Sequence, residues 1–249
     1  MPEAEIQAFL AKEALSVQVP YLIIGIVVLI IAFIIWRVKL PEIVDEEVTT
    51  NTNSGGILKQ KNLVFGIAAQ FFYVGAQVCV SSFFIRFIGE AAGIEEKPAA
   101  IYLSVALLAF MIGRFVGTFL MKYFQPRKLL AFYSIANIIL LILAIYSGNM
   151  ISIYALRGVE FFMSIMFPTI FSLSIEGLGE QKKLGSSLVI MAIAGGAFFP
   201  LIMGKISDLS NIQTAFIVPA VCFLVVFFFA ISKNNKVENQ LSSNKSSIA

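Results

Sequence analysis

The chain has 249 residues, of which 59% are hydrophobic and 13% charged, with a formal net charge of +3 and a mean hydropathy of +0.89. Soluble proteins contain about 45–50% apolar and about 25% charged residues, so this composition excludes an ordinary soluble domain. Histidine is absent, which removes the commonest metal ligand and general base, and we expect no metal site and no cofactor. Without a basic stripe carrying interleaved aromatic residues, nucleic acid is not an expected partner.

Seven apolar stretches recur along the chain, each close to the ~20 residues that cross ~30 Å of hydrocarbon. They lie at Tyr21–Val38, Leu63–Ile88, Ala99–Tyr123, Leu129–Tyr146, Ile151–Ile175, Leu184–Ile206 and Thr214–Ile231. We expect helices, because a lone strand in lipid would leave its backbone groups without hydrogen-bond partners. The sequence therefore predicts an all-α integral membrane protein with about seven transmembrane helices in contact with membrane lipid.

Polar stretches divide the chain into five predicted segments. Residues 1–20 form an extracytoplasmic segment and residues 21–38 a transmembrane helix. Residues 39–62 are a flexible cytoplasmic linker, residues 63–231 hold the other six helices, and residues 232–249 are a disordered cytoplasmic tail. Because residues 1–20 lack a basic region followed by a cleavage site, we expect a fragment or truncated reading frame of a longer protein.

Lysine and arginine predict the orientation, since basic loops stay on the cytoplasmic side. A cytoplasmic C-terminus leaves only four basic residues outside, at Lys12, Arg86, Lys97 and Lys205. Twelve then lie inside, at Arg37, Lys39, Lys59, Lys61, Lys122, Arg127, Lys128, Lys182, Lys183, Lys233, Lys236 and Lys245. This threefold bias predicts a cytoplasmic C-terminus.

The second apolar stretch carries four polar side chains, which we call the polar stripe: Gln70, Tyr73, Gln77 and Ser81. Offsets of three, four and four residues place them on one face of a helix. That face should turn away from lipid, toward the protein interior or a watery cavity. There the amides can bind a polyhydroxylated ligand and the tyrosine ring can stack on a sugar. Polar contact between helices is the alternative interpretation.

The third stretch places Arg114 between two glycines spaced four apart, Gly113 and Gly117, which form a flat face for close helix packing. An arginine inside a span needs partners, and we expect helix-end carbonyls or carboxylates near the cytoplasmic face. Snorkelling toward the interface with ordinary helix packing is the alternative.

The fifth stretch contains Arg157 and Glu160, whose spacing predicts a structural ion pair. Pro168 in the same stretch removes a backbone hydrogen bond and predicts a kink beside a cavity. Thr169 and Ser164 are the expected partners for the carbonyls that the kink frees.

The Gly-Arg-x-x-Gly run at Gly113–Gly117, with the basic loop after it, resembles the loop motif of major facilitator transporters. A narrower resemblance is to the L-fucose/proton symporter family. Three runs carry it: QFFYVGAQ (Gln70–Gln77) resembles the seventh helix, FMSIMFPTIFSLSIEGLG (Phe162–Gly179) the tenth, and KLGSSLVIMAIAGGAFFPLIMGKISD (Lys183–Asp208) the eleventh. It covers nearly the whole chain, which would correspond to helices 6–12 of a major facilitator fold.

The resemblance implies sugar transport by symport with protons, in a bacterial cytoplasmic (inner) membrane, by two halves that rock around a central cavity. It implies L-fucose as the sugar and places the proton-carrying acids in the first half, so a separate N-terminal half is an expected partner. Phe167 joins the polar stripe in the predicted substrate-binding set. The chain departs from the family at Met166 and Phe167, where a Gln-Tyr pair is expected, and at Ser81, so another hexose stays open.

Two rival interpretations belong to other functional classes. A membrane enzyme is disfavoured because the sequence has no acidic cluster for a metal and Glu160 is the only mid-span acid. A non-transporting remnant or accessory membrane subunit stays the serious alternative, because such a chain would keep the same spans without moving sugar.

Overall fold

The structure, a computed structural model, describes residues 3–38 and 54–232, with side chains for 18–38 and 56–232. Its α-helices are α1 (Glu3–Arg37), α2 (Ser54–Ile57), α3 (Lys61–Ala92), α4 (Glu96–Leu120), α5 (Pro126–Ser147), α6 (Asn149–Met163), α7 (Met166–Ser174), α8 (Lys182–Met191), α9 (Gly195–Leu209), α10 (Ile212–Ala215) and α11 (Ile217–Ile231). Short 3₁₀ turns at Gly179–Gln181 and Ala192–Ala194 flank α8. This part of the chain is helical, as predicted.

Seven helical stretches among the described residues are long and apolar enough to cross a membrane. They are Gln18–Arg37, Lys61–Ala92, Glu96–Leu120, Pro126–Ser147, Asn149–Ser174, Gly179–Leu209 and Ile212–Ile231. Each overlaps one predicted span, so the all-α membrane fold with seven spans is confirmed. Helix α1 begins at Glu3, inside the segment predicted to precede the first span. Most of the predicted linker and nearly all of the predicted tail lie outside the described residues.

The chain forms two compact units, Met1–Asn51 and Thr52–Ala249. Helix α1 belongs to the first unit, and its apolar window has a mean hydropathy of 2.9. In the second unit α3 is the central helix, packing against α4, α6, α7, α9 and α11. Helix α5 packs between α6 and α11, and α4 lies along α6.

Aromatic and small side chains fill the interior of the second unit. Tyr73 and Phe87 of α3 are fully buried, and the Phe87 ring meets Phe216 edge-on with centroids 4.7 Å apart. Glycine permits the closest approach of α3 to α9, because a side chain at Gly195 would collide with the carbonyl oxygen of Phe71. The backbones of α3 and α9 are therefore in close contact at Gly195.

Two of the spans are interrupted. The span Asn149–Ser174 breaks at Ser164 and Ile165, between α6 and α7, and Pro168 lies just beyond the break. The span Gly179–Leu209 breaks at the 3₁₀ turn Ala192–Ala194, immediately before a Gly-Gly pair. Proline lacks the N–H that continues a helical ladder, and this explains the first interruption. The kink predicted at Pro168 is confirmed.

Candidate functional site

The polar stripe of α3 turns inward, toward α6 and α7. Gln70 and Tyr73 are fully buried, whereas Gln77 and Ser81 are partly exposed. The Tyr73 hydroxyl donates a hydrogen bond to the carbonyl oxygen of Met163 at 2.8 Å. Both amide atoms of Gln70 are buried without a hydrogen-bond partner among the described residues. Within the buried end of the stripe, Tyr73 therefore joins α3 to α6, while Gln77 and Ser81 reach the surface.

Phe167 lies next to the stripe, on the first turn of α7. Its ring meets the Tyr73 ring at a steep angle with centroids 6.4 Å apart. Phe167 is partly exposed, while its neighbour Met166 is fully buried and accepts a hydrogen bond at sulfur from Asn137 Nδ2 at 3.4 Å. Met166 is therefore closed to solutes, whereas Phe167 and Ser81, the other positions that depart from the family pattern, are partly exposed.

Side chains from three helices satisfy the carbonyls at the break between α6 and α7. Tyr73 donates to Met163 O, as above, and Arg114 Nε of α4 donates to Ser164 O at 3.3 Å. Thr169 Oγ1 donates to Ile165 O at 2.6 Å. The carbonyl of Ser164 is the acceptor that an amide hydrogen at Pro168 would have used. The expectation that Arg114 meets a helix carbonyl is confirmed. The expectation that Thr169 satisfies a freed carbonyl is wrong, because its acceptor, Ile165 O, already receives the backbone N–H of Thr169.

Ser164 was also expected to satisfy a freed carbonyl, and the structure contradicts this. Its Oγ atom is buried and has no hydrogen-bond partner among the described residues. The physical reason is that Arg114 reaches the break from α4 and supplies the donor instead. Arg114 also lies over the ring of Phe110, with its guanidinium carbon 5.1 Å from the centroid, so one arginine is held from two sides.

The two glycines beside Arg114 bring α4 against this break. A methyl group at Gly113 would lie 2.5 Å from the carbonyl oxygen of Phe161, and one at Gly117 would lie 2.5 Å from Ile165 Cγ2. Both glycines are buried, although most of α4 is exposed. The prediction of a flat packing face is confirmed, and this face places Arg114 within reach of Ser164.

The ion pair predicted between Arg157 and Glu160 is wrong. The two side chains are not paired in the described part of the chain: Ser81 Oγ donates to Glu160 Oε1 at 2.8 Å instead. The Arg157 guanidinium lies over Tyr102 of α4 at 4.6 Å and Tyr154 at 5.4 Å from the ring centroids. Aromatic faces from α4 and from α6 itself, and a hydroxyl from α3, thus replace the local salt bridge.

A second polar cluster lies where α3 and α5 begin and α7 and α11 end, and none of its residues belongs to the predicted site. Asn62 Nδ2 of α3 donates to Leu173 O at 2.8 Å, and Arg127 donates to Asn62 Oδ1 at 3.0 Å and to Ser232 O at 2.9 Å. Arg127 also lies 4.0 Å from Glu176. These contacts tie the ends of α3, α5, α7 and α11 together. From the sequence, Arg127 was predicted only to lie in a basic loop, because its partners are far away along the chain.

A cavity of about 1210 Å³ opens between this cluster and the helix break. Its lining includes Arg114, Pro168 and Thr169 from the region of the break, and Arg127 and Glu176 from the cluster. The Arg114 contact thus lies between the polar stripe and a cavity at the end of the bundle that carries the basic loop after α4.

Comparison with known proteins decides the family. A model described as Major Facilitator Superfamily matches residues 6–193. The chain belongs to the major facilitator superfamily. This is a family of multi-pass membrane transporters rather than enzymes, and the structure's spans agree with it.

Individual major facilitator proteins confirm the narrower resemblance. The chain is 38% identical over 232 residues to the putative glucose/galactose transporter of Helicobacter pylori, covering 91% of this chain and 57% of that protein. It is 36% identical over 247 residues to the L-fucose-proton symporter of Escherichia coli, covering 96% of this chain and 56% of the symporter. The chain thus spans little more than half the length of these relatives.

A solved structure agrees in fold. The crystal structure of the major facilitator transporter FucP in the outward conformation superposes with a TM-score of 0.76 and 40% sequence identity. The match covers 87% of this chain and 54% of that chain. The predicted assignment to part of a major facilitator fold of the L-fucose/proton symporter type is therefore confirmed.

Proposed function

We propose that this chain forms the C-terminal part of a sugar/proton symporter. The observation that carries the proposal is its similarity, over more than nine-tenths of its length, to transporters named for glucose and galactose and for L-fucose with protons. L-Fucose is the first candidate substrate, because three runs of the sequence resemble the L-fucose/proton symporter family. Glucose and galactose are the second, because a transporter named for them matches at nearly equal identity. Two halves around a central site are the general design of such transporters.

Within this proposal the partly exposed members of the predicted set contact the sugar. Gln77 offers an amide, Ser81 a hydroxyl and Phe167 an aromatic face for the apolar side of a sugar ring. Tyr73 is fully buried, and we assign it the role of positioning α6 and α7 against α3. Gln70 is also fully buried, and its amide keeps its predicted place in the substrate-binding set. The residues proposed to contact the sugar are thus distinguished from Tyr73, which is proposed to hold the helices in place.

Arg114 and its loop are proposed to latch the inward-facing gate. The support is that one guanidinium joins α4 to the only carbonyl that Pro168 leaves without its helical donor. Breaking that contact frees α7 to move relative to α4. A latch of this kind acts by favouring one of two arrangements of the same helices, as a two-state equilibrium requires.

We propose a cytoplasmic C-terminus in a bacterial inner membrane, with lipid around the bundle, from the bias of basic residues. Twelve lysines and arginines then lie inside and four outside. Single cysteines at Lys122 and Lys97, in a background without Cys79 and Cys222, test this with an impermeant maleimide on intact cells. Labelling of Lys97→Cys alone supports the orientation, and labelling of Lys122→Cys alone contradicts it.

Uptake tests the function. The chain is expressed in a bacterium that lacks sugar transporters, alone or together with an N-terminal segment supplying the helices that the relatives have in addition. Labelled L-fucose, glucose and galactose are offered separately, with and without a protonophore. Protonophore-sensitive uptake only in the paired strain supports a symporter that needs a separate N-terminal half. Uptake by the 249 residues alone would show that half to be dispensable.

The rival function is a remnant or accessory subunit that moves no sugar. Silence in both strains, with the chain present in the membrane fraction, would favour this rival. The similarity to sugar transporters over 91% and 96% of the chain is the reason to prefer transport.

A further inference from the structure

One buried acid has no role in the site described above. Glu160 of α6 is only 1% exposed, inside the span Asn149–Ser174. Its hydrogen-bond partner is neutral, the Ser81 hydroxyl at 2.8 Å. Within the described residues no lysine or arginine nitrogen lies within 4.0 Å of it. A carboxylate at this place would be buried, charged and unpaired, whereas a protonated carboxyl needs only a neutral partner.

The charged and titratable groups on the surrounding helices are engaged elsewhere. On α3, Tyr73 donates to Met163 O, and Cys79 lies beside Cys222 of α11. On α4, Arg114 is held by Ser164 O, and the Tyr102 ring lies under Arg157. On α5, the ring of Tyr133 packs against Phe162 with centroids 5.0 Å apart. Helix α7 contains no ionisable residue.

Arg157 is a cation placed to receive the carboxylate. It lies three residues before Glu160 on the same helix, so the two side chains share a face. Its Nε atom is buried and has no hydrogen-bond partner among the described residues, although its guanidinium rests on tyrosine rings. A rotation of the Glu160 side chain away from Ser81 would bring a carboxylate to this unused donor.

We propose that Glu160 is a proton-binding site in this half of the transporter. The protonated carboxyl is held by Ser81; when the proton leaves to water, the O–H bond breaks and the carboxylate turns to Arg157. The inference rests on the proposed symport, because Ser81 also belongs to the predicted sugar-binding set. A sugar that hydrogen-bonds to the Ser81 hydroxyl removes a hydrogen-bond partner of Glu160. Sugar binding therefore changes the proton affinity of Glu160, and proton binding changes the sugar affinity by the same factor.

Infrared spectroscopy of the whole chain tests the site without any transport. The 249-residue protein is placed in phosphatidylethanolamine/phosphatidylglycerol vesicles, and the carbonyl stretch of protonated carboxyl groups is followed from pH 4 to pH 9. Exposed carboxyls ionise near about pH 4, so only a buried acid contributes at neutral pH. We expect a neutral-pH band that Glu160→Gln removes and that the matched control Glu180→Gln, at an exposed glutamate, retains.

Ser81→Ala provides the second variant. Loss of the hydroxyl should move the pH midpoint of the same band by about one unit, because the carboxyl loses its hydrogen-bond partner. Circular dichroism verifies that each variant is folded; should Glu160→Gln fail to fold, the Ser81→Ala comparison decides. Absence of the band in the wild-type chain, its survival in Glu160→Gln, or an unmoved midpoint in Ser81→Ala would overturn the proposal.

This readout separates the proton site from the proposed function. A Glu160 band in a chain that shows no sugar uptake in either strain would support the site and count against symport. Uptake in the paired strain without a Glu160 band would support symport and overturn the site. With both present, we expect Glu160→Gln to abolish protonophore-sensitive accumulation while sugar exchange across the membrane continues.

Discussion

Arg114 Nε donates a hydrogen bond to the carbonyl oxygen of Ser164 at 3.3 Å, and this contact joins α4 to the break between α6 and α7. The acceptor is available because residue 168 is proline and has no N–H to offer it. An arginine that is costly in a membrane span and a carbonyl that is costly without a donor therefore satisfy each other. The glycines on either side of Arg114 make the approach close enough.

Arg114 and Pro168 should be energetically coupled. We expect Arg114→Ala to lower the free energy of unfolding by about 1–3 kcal/mol, because a buried carbonyl loses its donor. In a Pro168→Ala background the amide of residue 168 can take the carbonyl, and the cost of Arg114→Ala should fall by about 1 kcal/mol. The free energy of unfolding is measured with a denaturing detergent on four reconstituted proteins: the wild type, Arg114→Ala, Pro168→Ala and the double variant. If Arg114→Ala lowered the free energy of unfolding equally in both backgrounds, Arg114 and Pro168 would not be coupled.

The glycine face of α4 should tolerate no added methyl group. Gly113→Ala would place a carbon 2.5 Å from Phe161 O, and the helices must separate to relieve the overlap. Overpacking of this kind costs typically about 1–3 kcal/mol. Gly89→Ala is the control, because its new methyl group would meet only Ile94 O at 3.6 Å. Thermal unfolding in detergent should show a lower midpoint for Gly113→Ala alone; equal midpoints would mean that α4 is not held at this distance.

The sequence predicts those features that depend on one helix at a time. Hydropathy predicts all seven spans, since crossing a membrane requires a long apolar helix whatever its neighbours are. Periodicity places Gln70, Tyr73, Gln77 and Ser81 on one inward face, and the motif around Arg114 predicts a carbonyl partner of the right kind. Composition alone excludes a soluble protein.

Features that depend on which helices are neighbours were not predictable in the same way. Spacing showed that Arg157 and Glu160 are able to meet, but not that α4 would offer Tyr102 to the arginine and α3 would offer Ser81 to the glutamate. The bond from Arg127 to Asn62 joins residues 65 positions apart, and no local pattern marks it. The resemblance to a transporter family supplied the topology but no side-chain partners.

Tyr73 is expected to support the helices rather than to determine sugar affinity. Tyr73→Phe keeps the ring against Phe167 but leaves Met163 O without its donor, which should cost about 1–3 kcal/mol of unfolding free energy. Tyr146→Phe is the matched control, because Tyr146 is 84% exposed. Detergent unfolding measures the cost. A large rise in KM for sugar with no loss of stability would instead place the Tyr73 hydroxyl in the binding site.

Gln77 gives the most direct test of the proposed cavity surface. Its side chain is partly exposed on the same face as Ser81, where an amide can donate and accept hydrogen bonds with sugar hydroxyls. In a strain that transports sugar, Gln77→Ala should raise KM about 3- to 10-fold, as loss of roughly one hydrogen bond implies. Gln125→Ala is the control, since Gln125 is exposed just before α5.

Uptake rates over a range of sugar concentrations separate KM from the maximal rate, and immunoblots of membranes correct for the amount of protein. An unchanged KM in Gln77→Ala would show that this face of α3 does not contact the sugar. The polar stripe would then serve only to join helices, as the contact from Tyr73 to Met163 already does. A rise in KM for L-fucose but not for glucose or galactose would identify the sugar as well as the surface.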